Sequence, residues 1–219
     1  MTSETGDTVT LQQSRENFKS RLALGIISIV GGVLGWWASL RLFQDYVASL
    51  KDTDFIPSCN LSDVVSCAQN FGSSYGSLLG FSNTVIGLTL FVIPIVMGVF
   101  LLSKVSLPHW VLSGYSLGLL GAVALVSYLQ WVSFTQLLTL CLYCLLIWSV
   151  TIPLFWKSVA FTAEEWLKSK KTQTVKHSKS LTLVVTNWWL IAVVHLIFVL
   201  AFGELSVRAV TGLFAAIFQ

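Results

Sequence analysis

From Val105 to Trp156 the chain carries no Asp, Glu, Lys or Arg. One helix needs about 20 apolar residues to cross a bilayer, so this run must fold into two helices with a short turn between them. The polar cluster Ser133–Gln136, beside Trp131, marks that turn. Further charge-free runs cover Leu22–Leu40, Val64–Ser103 and Ser180–Gly203. Together they predict five spans, near residues 22–42, 82–103, 109–131, 137–156 and 187–208. A composition 55% hydrophobic and 11% charged lies far outside the soluble norm and agrees. The expected fold class is an all-α membrane protein.

The charges predict its orientation. With the N-terminus inside, the inner segments hold ten basic residues: Arg15, Lys19, Arg21, Lys104, Lys157, Lys168, Lys170, Lys171, Lys176 and Lys179. The outer segments keep three, Arg41, Lys51 and Arg208, which follows the positive-inside bias. Trp110, Trp131, Trp156, Trp188 and Trp189 fall at span ends, where amphipathic rings prefer the interface. The +3 net charge therefore reflects topology, and no nucleic-acid partner is expected. No small-residue cleavage site follows the first span, which reads as an uncleaved anchor.

Along the chain, residues 1–18 read as a disordered tail, 19–156 as a helical core with an outer loop over 43–81, 157–186 as a basic inner loop, and 187–219 as a fifth span with a short outer tail. The outer loop loses its charges after Asp63. Its second half, Asn70–Asn83, mixes Gly and Ser with Phe71, Tyr75, Leu78, Leu79 and Phe81. That mixture predicts a short amphipathic helix lying on the membrane as a lid. The inner loop should be partly helical around Glu164–Lys168. His195, alone among apolar neighbours, fits an interhelical hydrogen bond better than catalysis or metal binding.

Four cysteines fall in two local pairs: Cys59 and Cys67 in the outer loop, Cys141 and Cys144 at the outer start of the fourth span. All four would face a compartment where disulfides persist. Residues three apart share a helix face, so Cys141 and Cys144 can meet. Near a helix N-terminus the dipole and free amides favour a thiolate at Cys141. Cys144 lies ~4.5 Å deeper by helix rise, where a ligand dissolved in the bilayer would meet it first. Three readings fit: a redox relay, a structural loop disulfide beside inert thiols, or a metal held by four thiolates. The pairs differ in spacing and setting, so no metal is expected.

Cys59-x7-Cys67, then Ser73, then Asn83 at the head of a span, then Cys141-x-x-Cys144 resembles the vitamin K epoxide reductase family, over roughly Phe55 to Trp156. The resemblance implies a four-helix transmembrane bundle around a quinone, with a fifth transmembrane helix as in bacterial members. It implies that Cys59 exchanges with an external partner, that Cys67 attacks Cys141 of a Cys141–Cys144 disulfide, and that Cys144 reduces the quinone. Asn83 would hydrogen-bond a quinone carbonyl, and Ser73 would sit in the lid near the thiols. Trp148 stands where animal members have a Tyr contacting the quinone, so aromatic stacking is kept and the donor moves to the indole N–H. The quinone would be menaquinone or ubiquinone.

Many bacterial relatives carry a fused thioredoxin-like domain after the fifth span. This sequence carries none, which predicts a separate secreted thioredoxin-fold disulfide oxidase as partner. The expected function is thus a quinone-dependent thiol oxidase of the bacterial cytoplasmic (inner) membrane. Vitamin K epoxide or quinone reduction, and a non-enzymatic membrane protein with a structural outer-loop disulfide, are the alternatives.

Overall fold

The computed structural model describes residues 3–52, 54–60, 65–71, 73–103, 105–169, 186–199 and 201, with side chains over 18–166 of these and over 186–199. Its long helices are α1 (Ser3–Lys51), α3 (Asn83–Leu90) continued by α4 (Val92–Leu102), α5 (His109–Val132) and α6 (Leu142–Ser169). A short α2 (Ala68–Phe71) and a 3-10 turn at Ser74–Ser77 lie between α1 and α3. α7 covers Thr186–Val199. Four stretches are long and apolar enough to cross a bilayer: Phe18–Lys51, Asn83–Leu102, His109–Leu137 and Leu142–Trp166. The protein is an all-α, multi-pass membrane protein.

Four boundaries depart from the sequence reading, each for a local reason. The N-terminal tail, expected to be disordered over 1–18, is helical from Ser3. It is continuous with the first span and contains no proline, so the helix extends backward without a new nucleation cost. At its other end α1 runs to Lys51, well into the segment assigned to the outer loop, and Asp45 is helical. Residues Ser133–Gln136, read as the turn, instead prolong α5 within a π-helical turn over Ser133–Leu137. The chain reverses only at Leu138, whose φ of 52° is left-handed, and α6 begins at Leu142 instead of 137. α6 then continues to Ser169, in line with the expected helix around Glu164–Lys168. The rest of the basic loop, and residues 202–208 of the fifth span, lie outside the described residues.

α1 packs along α3, α4 and α6, and α5 packs on α6. Small residues allow the α1–α4 approach, as expected where lipid gives no hydrophobic drive between helices. A Cβ at Gly98 would lie 2.7 Å from the Gly25 carbonyl oxygen. Arg21 donates to the Leu101 carbonyl at 3.0 Å and also to the Val105 carbonyl, closing the end of α4. Leu24, Met97, Leu112, Tyr115, Leu119, Leu154 and Phe161 fill one core cluster of the bundle. Val30, Val33, Val96, Val99, Leu117 and Leu120 stay exposed on helices that read as lipid-facing. Trp156 on α6 donates to His195 Nδ1 on α7 at 3.3 Å, the interhelical bond expected of that histidine.

Candidate active site

The thiol centre is assembled by two chain segments brought side by side. Val65 and Leu140 form an isolated parallel bridge, and the Ser66 N–H donates to the Leu140 carbonyl at 3.1 Å. This register sets Cys67 beside Cys141. The left-handed Leu138 turns the chain into that register, at a conformational cost of roughly 1–2 kcal/mol for a residue with a Cβ. Ser133 helps hold the turn, its hydroxyl donating to the Thr139 carbonyl.

Cys59 and Cys67 are joined in a disulfide, with Cα atoms 5.9 Å apart, while Cys141 and Cys144 are free thiols. Cys67 Sγ lies 2.8 Å from Cys141 Sγ, and the sulfurs of Cys59, Cys67 and Cys141 all fall within 4.8 Å of one another. Cys59, Cys67 and Cys141 are buried together with Leu42. Three buried sulfurs in one contact group let a disulfide pass from one partner to another, because exchange needs a thiolate aligned on a neighbouring disulfide.

Cys141 immediately precedes the first residue of α6. Its carbonyl accepts from the Leu145 N–H at 3.0 Å, and its sulfur accepts from the Cys144 N–H at 3.4 Å. The sulfur thus takes the place of an N-capping oxygen, which normally accepts from the second or third amide of the helix. The Cys141 thiol is held below its ordinary range, chiefly by a hydrogen bond from the Cys144 side chain and against the opposing effect of burial.

Cys144 also lines a cavity of about 470 Å³ within the bundle, inside the usual range for small-molecule sites. Ser39, Asn70, Asn83, Thr84, Tyr115 and Thr151 supply polar groups to a mostly apolar wall. Along α5 the lining extends from Trp110 to Leu129, roughly 28 Å by helix rise. The cavity is long, with Asn83 and Cys144 on its wall.

The remaining sequence candidates divide. Asn83 lines this cavity, but its amide already serves the lid: Nδ2 donates to the Tyr75 carbonyl at 2.7 Å, and Oδ1 accepts from the Leu78 N–H at 3.1 Å. One N–H of the amide is left over by its donor inventory. Ser73 caps the 3-10 turn, donating to the Asn70 carbonyl at 3.0 Å and accepting from the Gly76 N–H at 3.2 Å. It is not among the residues lining the cavity. Trp148 is buried edge-on against Phe134 and lines a separate space of about 70 Å³, which Cys141 and Cys144 also border. The lid is built from two four-residue elements, α2 and the 3-10 turn, instead of one amphipathic helix.

Sequence reasoning missed Asn70, which lines both spaces. An Asn at the edge of a Gly/Ser-rich stretch carries no distinguishing signal. It also missed Asp45, Ser58 and Tyr143, which meet beside the thiols. Asp45, placed in the outer loop by the sequence, is 7% exposed.

A search of curated proteins finds no match to this chain. The sequence profile of the vitamin K epoxide reductase family matches residues 26–159, more than half of the chain. That segment contains all four cysteines, the lid and the cavity-lining part of α5. Its members are oxidoreductases that couple a cysteine pair to quinones. The chain belongs to the vitamin K epoxide reductase family.

Proposed function

We propose that the protein is a quinone-dependent thiol oxidase, taking electrons from the dithiol of a separate secreted thioredoxin-fold protein and passing them to menaquinone or ubiquinone. The observation that carries this reading is the 2.8 Å approach of Cys67 Sγ to Cys141 Sγ, with Cys144 next in line on the cavity wall.

The partner's thiolate attacks Cys59, and the resulting mixed disulfide resolves to leave Cys59 and Cys67 as thiols and the partner oxidised. Cys67 then attacks Cys141 of a Cys141–Cys144 disulfide, and Cys144 leaves as a thiolate. Cys59 attacks Cys67 and frees Cys141, which regenerates the loop disulfide and leaves the inner pair reduced. This last arrangement of bonds is the one found here. The inner dithiol gives two electrons and two protons to the quinone, which leaves as quinol, and the Cys141–Cys144 disulfide returns.

Within this cycle the Cys144 N–H, donated to the Cys141 sulfur, stabilises the thiolate each time Cys141 is the leaving group. The free N–H of Asn83 points to a hydrogen bond with a quinone carbonyl, and the length of the cavity suits a prenyl tail. Trp148 backs the thiols from the smaller space and acts as their wall. The charge bias of the sequence supports a bacterial cytoplasmic membrane location with the thiol end outside.

The test is quinone reduction by purified protein supplied with a reduced thioredoxin-fold partner. Turnover of one quinone per partner dithiol is expected. Failure to reduce any quinone, with the partner dithiol intact, overturns the assignment. Membrane-impermeant thiol reagents should reach Cys59 and Cys67 in reduced cells, and protection from them would reverse the proposed orientation.

A further inference from the structure

α1 contributes two anchors to the thiol centre, one for each of the segments that carry cysteines. Asp45 Oδ2 accepts from the Ser58 backbone N–H at 3.0 Å and from the Ser58 hydroxyl at 2.8 Å. Ser58 immediately precedes Cys59. The same hydroxyl lies 3.1 Å from the hydroxyl of Tyr143, which sits between Cys141 and Cys144 in sequence. Two turns earlier on α1, Trp37 packs edge-on against the Tyr143 ring, with centroids 5.8 Å apart. Asp45, Ser58 and Tyr143 therefore form one chain of hydrogen bonds from α1 through the outer pair to the turn of the inner pair.

A nearly buried carboxylate is costly unless its lone pairs are used, and bonds to a charged acceptor are stronger than neutral ones. The carboxylate of Asp45 grips a single residue with two bonds, leaving little freedom in the segment just before Cys59. Apolar packing around Leu42 buries the sulfurs but carries no direction, whereas the hydrogen-bonded chain fixes one register.

We propose that Asp45, Ser58 and Tyr143 act as a latch that positions the loop pair on the inner dithiol for exchange between Cys67 and Cys141. The side-chain hydrogen bonds of Asp45, Ser58 and Tyr143 run among themselves and not to a sulfur, so the three act as positioning residues. The inference rests on the relay proposed above. Aligned partners in one molecule gain effective concentration because their encounter is already made, and the latch supplies part of that alignment. In the step it serves, Cys67 thiolate attacks Cys141, the Cys67–Cys141 bond forms, the Cys141–Cys144 bond breaks, and Cys144 takes up the proton.

The test uses the full chain with Cys59→Ala and Cys144→Ala, so that Cys67 and Cys141 are the only thiols left. Equilibration in glutathione redox buffers, followed by acid quenching and mass spectrometry, gives the effective concentration of that pair without any quinone. Tyr143→Phe removes a single oxygen and should lower it about threefold to tenfold, the range for one lost hydrogen bond. Asp45→Ala should lower it more than about tenfold, because bonds to a charged acceptor contribute more. Asp45→Asn keeps an oxygen that can accept from Ser58 but loses the charge, and should recover part of the loss. Ser149→Ala, whose hydroxyl bonds only the Leu146 carbonyl of its own helix, should leave the value unchanged. Wild-type effective concentration in both Tyr143→Phe and Asp45→Ala overturns the latch, as does an Asn variant no better than the Ala variant. If Cys67 and Cys141 fail to pair even with the latch intact, the relay itself falls.

Discussion

Asn83→Ala tests whether one side chain holds the Tyr75–Leu78 segment against the start of α3. Its amide makes two hydrogen bonds to lid backbone, one from the Leu78 N–H and one to the Tyr75 carbonyl. At about 0.5–1.5 kcal/mol each, their loss should cost the docked segment roughly 1–3 kcal/mol. A factor of ten corresponds to about 1.36 kcal/mol, so local opening should become about 5- to 150-fold more frequent. The assay is native-state hydrogen exchange in detergent or nanodiscs, which reads such local openings residue by residue. The Leu78 amide should exchange faster by that factor. The Ser66 amide, bonded to the Leu140 carbonyl, should not change. Asn83→Asp keeps an acceptor for Leu78 and loses the donor to Tyr75, so it should fall between. An unchanged Leu78 rate in Asn83→Ala would refute the argument and leave the lid held by Ser73 and its apolar contacts alone.

Other outcomes follow from the same geometry. Cys144→Ala should abolish quinone reduction while the loop disulfide still exchanges with a soluble dithiol; full turnover in this variant would remove Cys144 from the quinone step. Cys67→Ala should accumulate a covalent complex between Cys59 and a thioredoxin-fold partner, visible on non-reducing gels, since the resolving thiol is gone. Gly98→Val places a side chain where a Cβ already meets the Gly25 carbonyl at 2.7 Å. Overpacking of that kind costs about 1–3 kcal/mol and should lower the thermal midpoint in detergent. An unchanged midpoint would mean that α1 and α4 separate freely.

The helical, membrane-spanning character was legible because charge-free runs of the required length leave few alternatives. Boundaries were harder, for identifiable reasons. Ser133–Gln136 looks like a turn by polarity, but three of its hydroxyl and amide side chains find partners within the turn region: Ser133 on the Thr139 carbonyl, Thr135 on the Trp131 carbonyl and Gln136 on Thr135. With those polar groups satisfied locally, the helix continues as a π turn, and the reversal falls on a leucine with no glycine to announce it. Spacing predicted that Cys141 and Cys144 could meet. It held no information on the approach of Cys67, which depends on a bridge between Val65 and Leu140, residues 75 positions apart. Asp45 was hidden for a similar reason: an acidic residue past a span end looks solvated until the helix is seen to run on to Lys51.

The start of α6 separates two surfaces with a single turn of helix. Cys141 caps the helix with its sulfur and faces Cys67, whereas Cys144, whose own amide makes the cap bond, lines the long cavity with Asn83. Had the helix begun at residue 137, Cys141 would lie inside it and its sulfur could not serve as the cap acceptor. The late start at Leu142 is what leaves Cys141 beside the loop cysteines while Cys144 enters the bundle. On the proposed reading, the strain at Leu138 is therefore part of the mechanism. It places the boundary between thiol exchange and quinone reduction inside the Cys141–Cys144 pair, so that electrons cross from one chemistry to the other along a single disulfide.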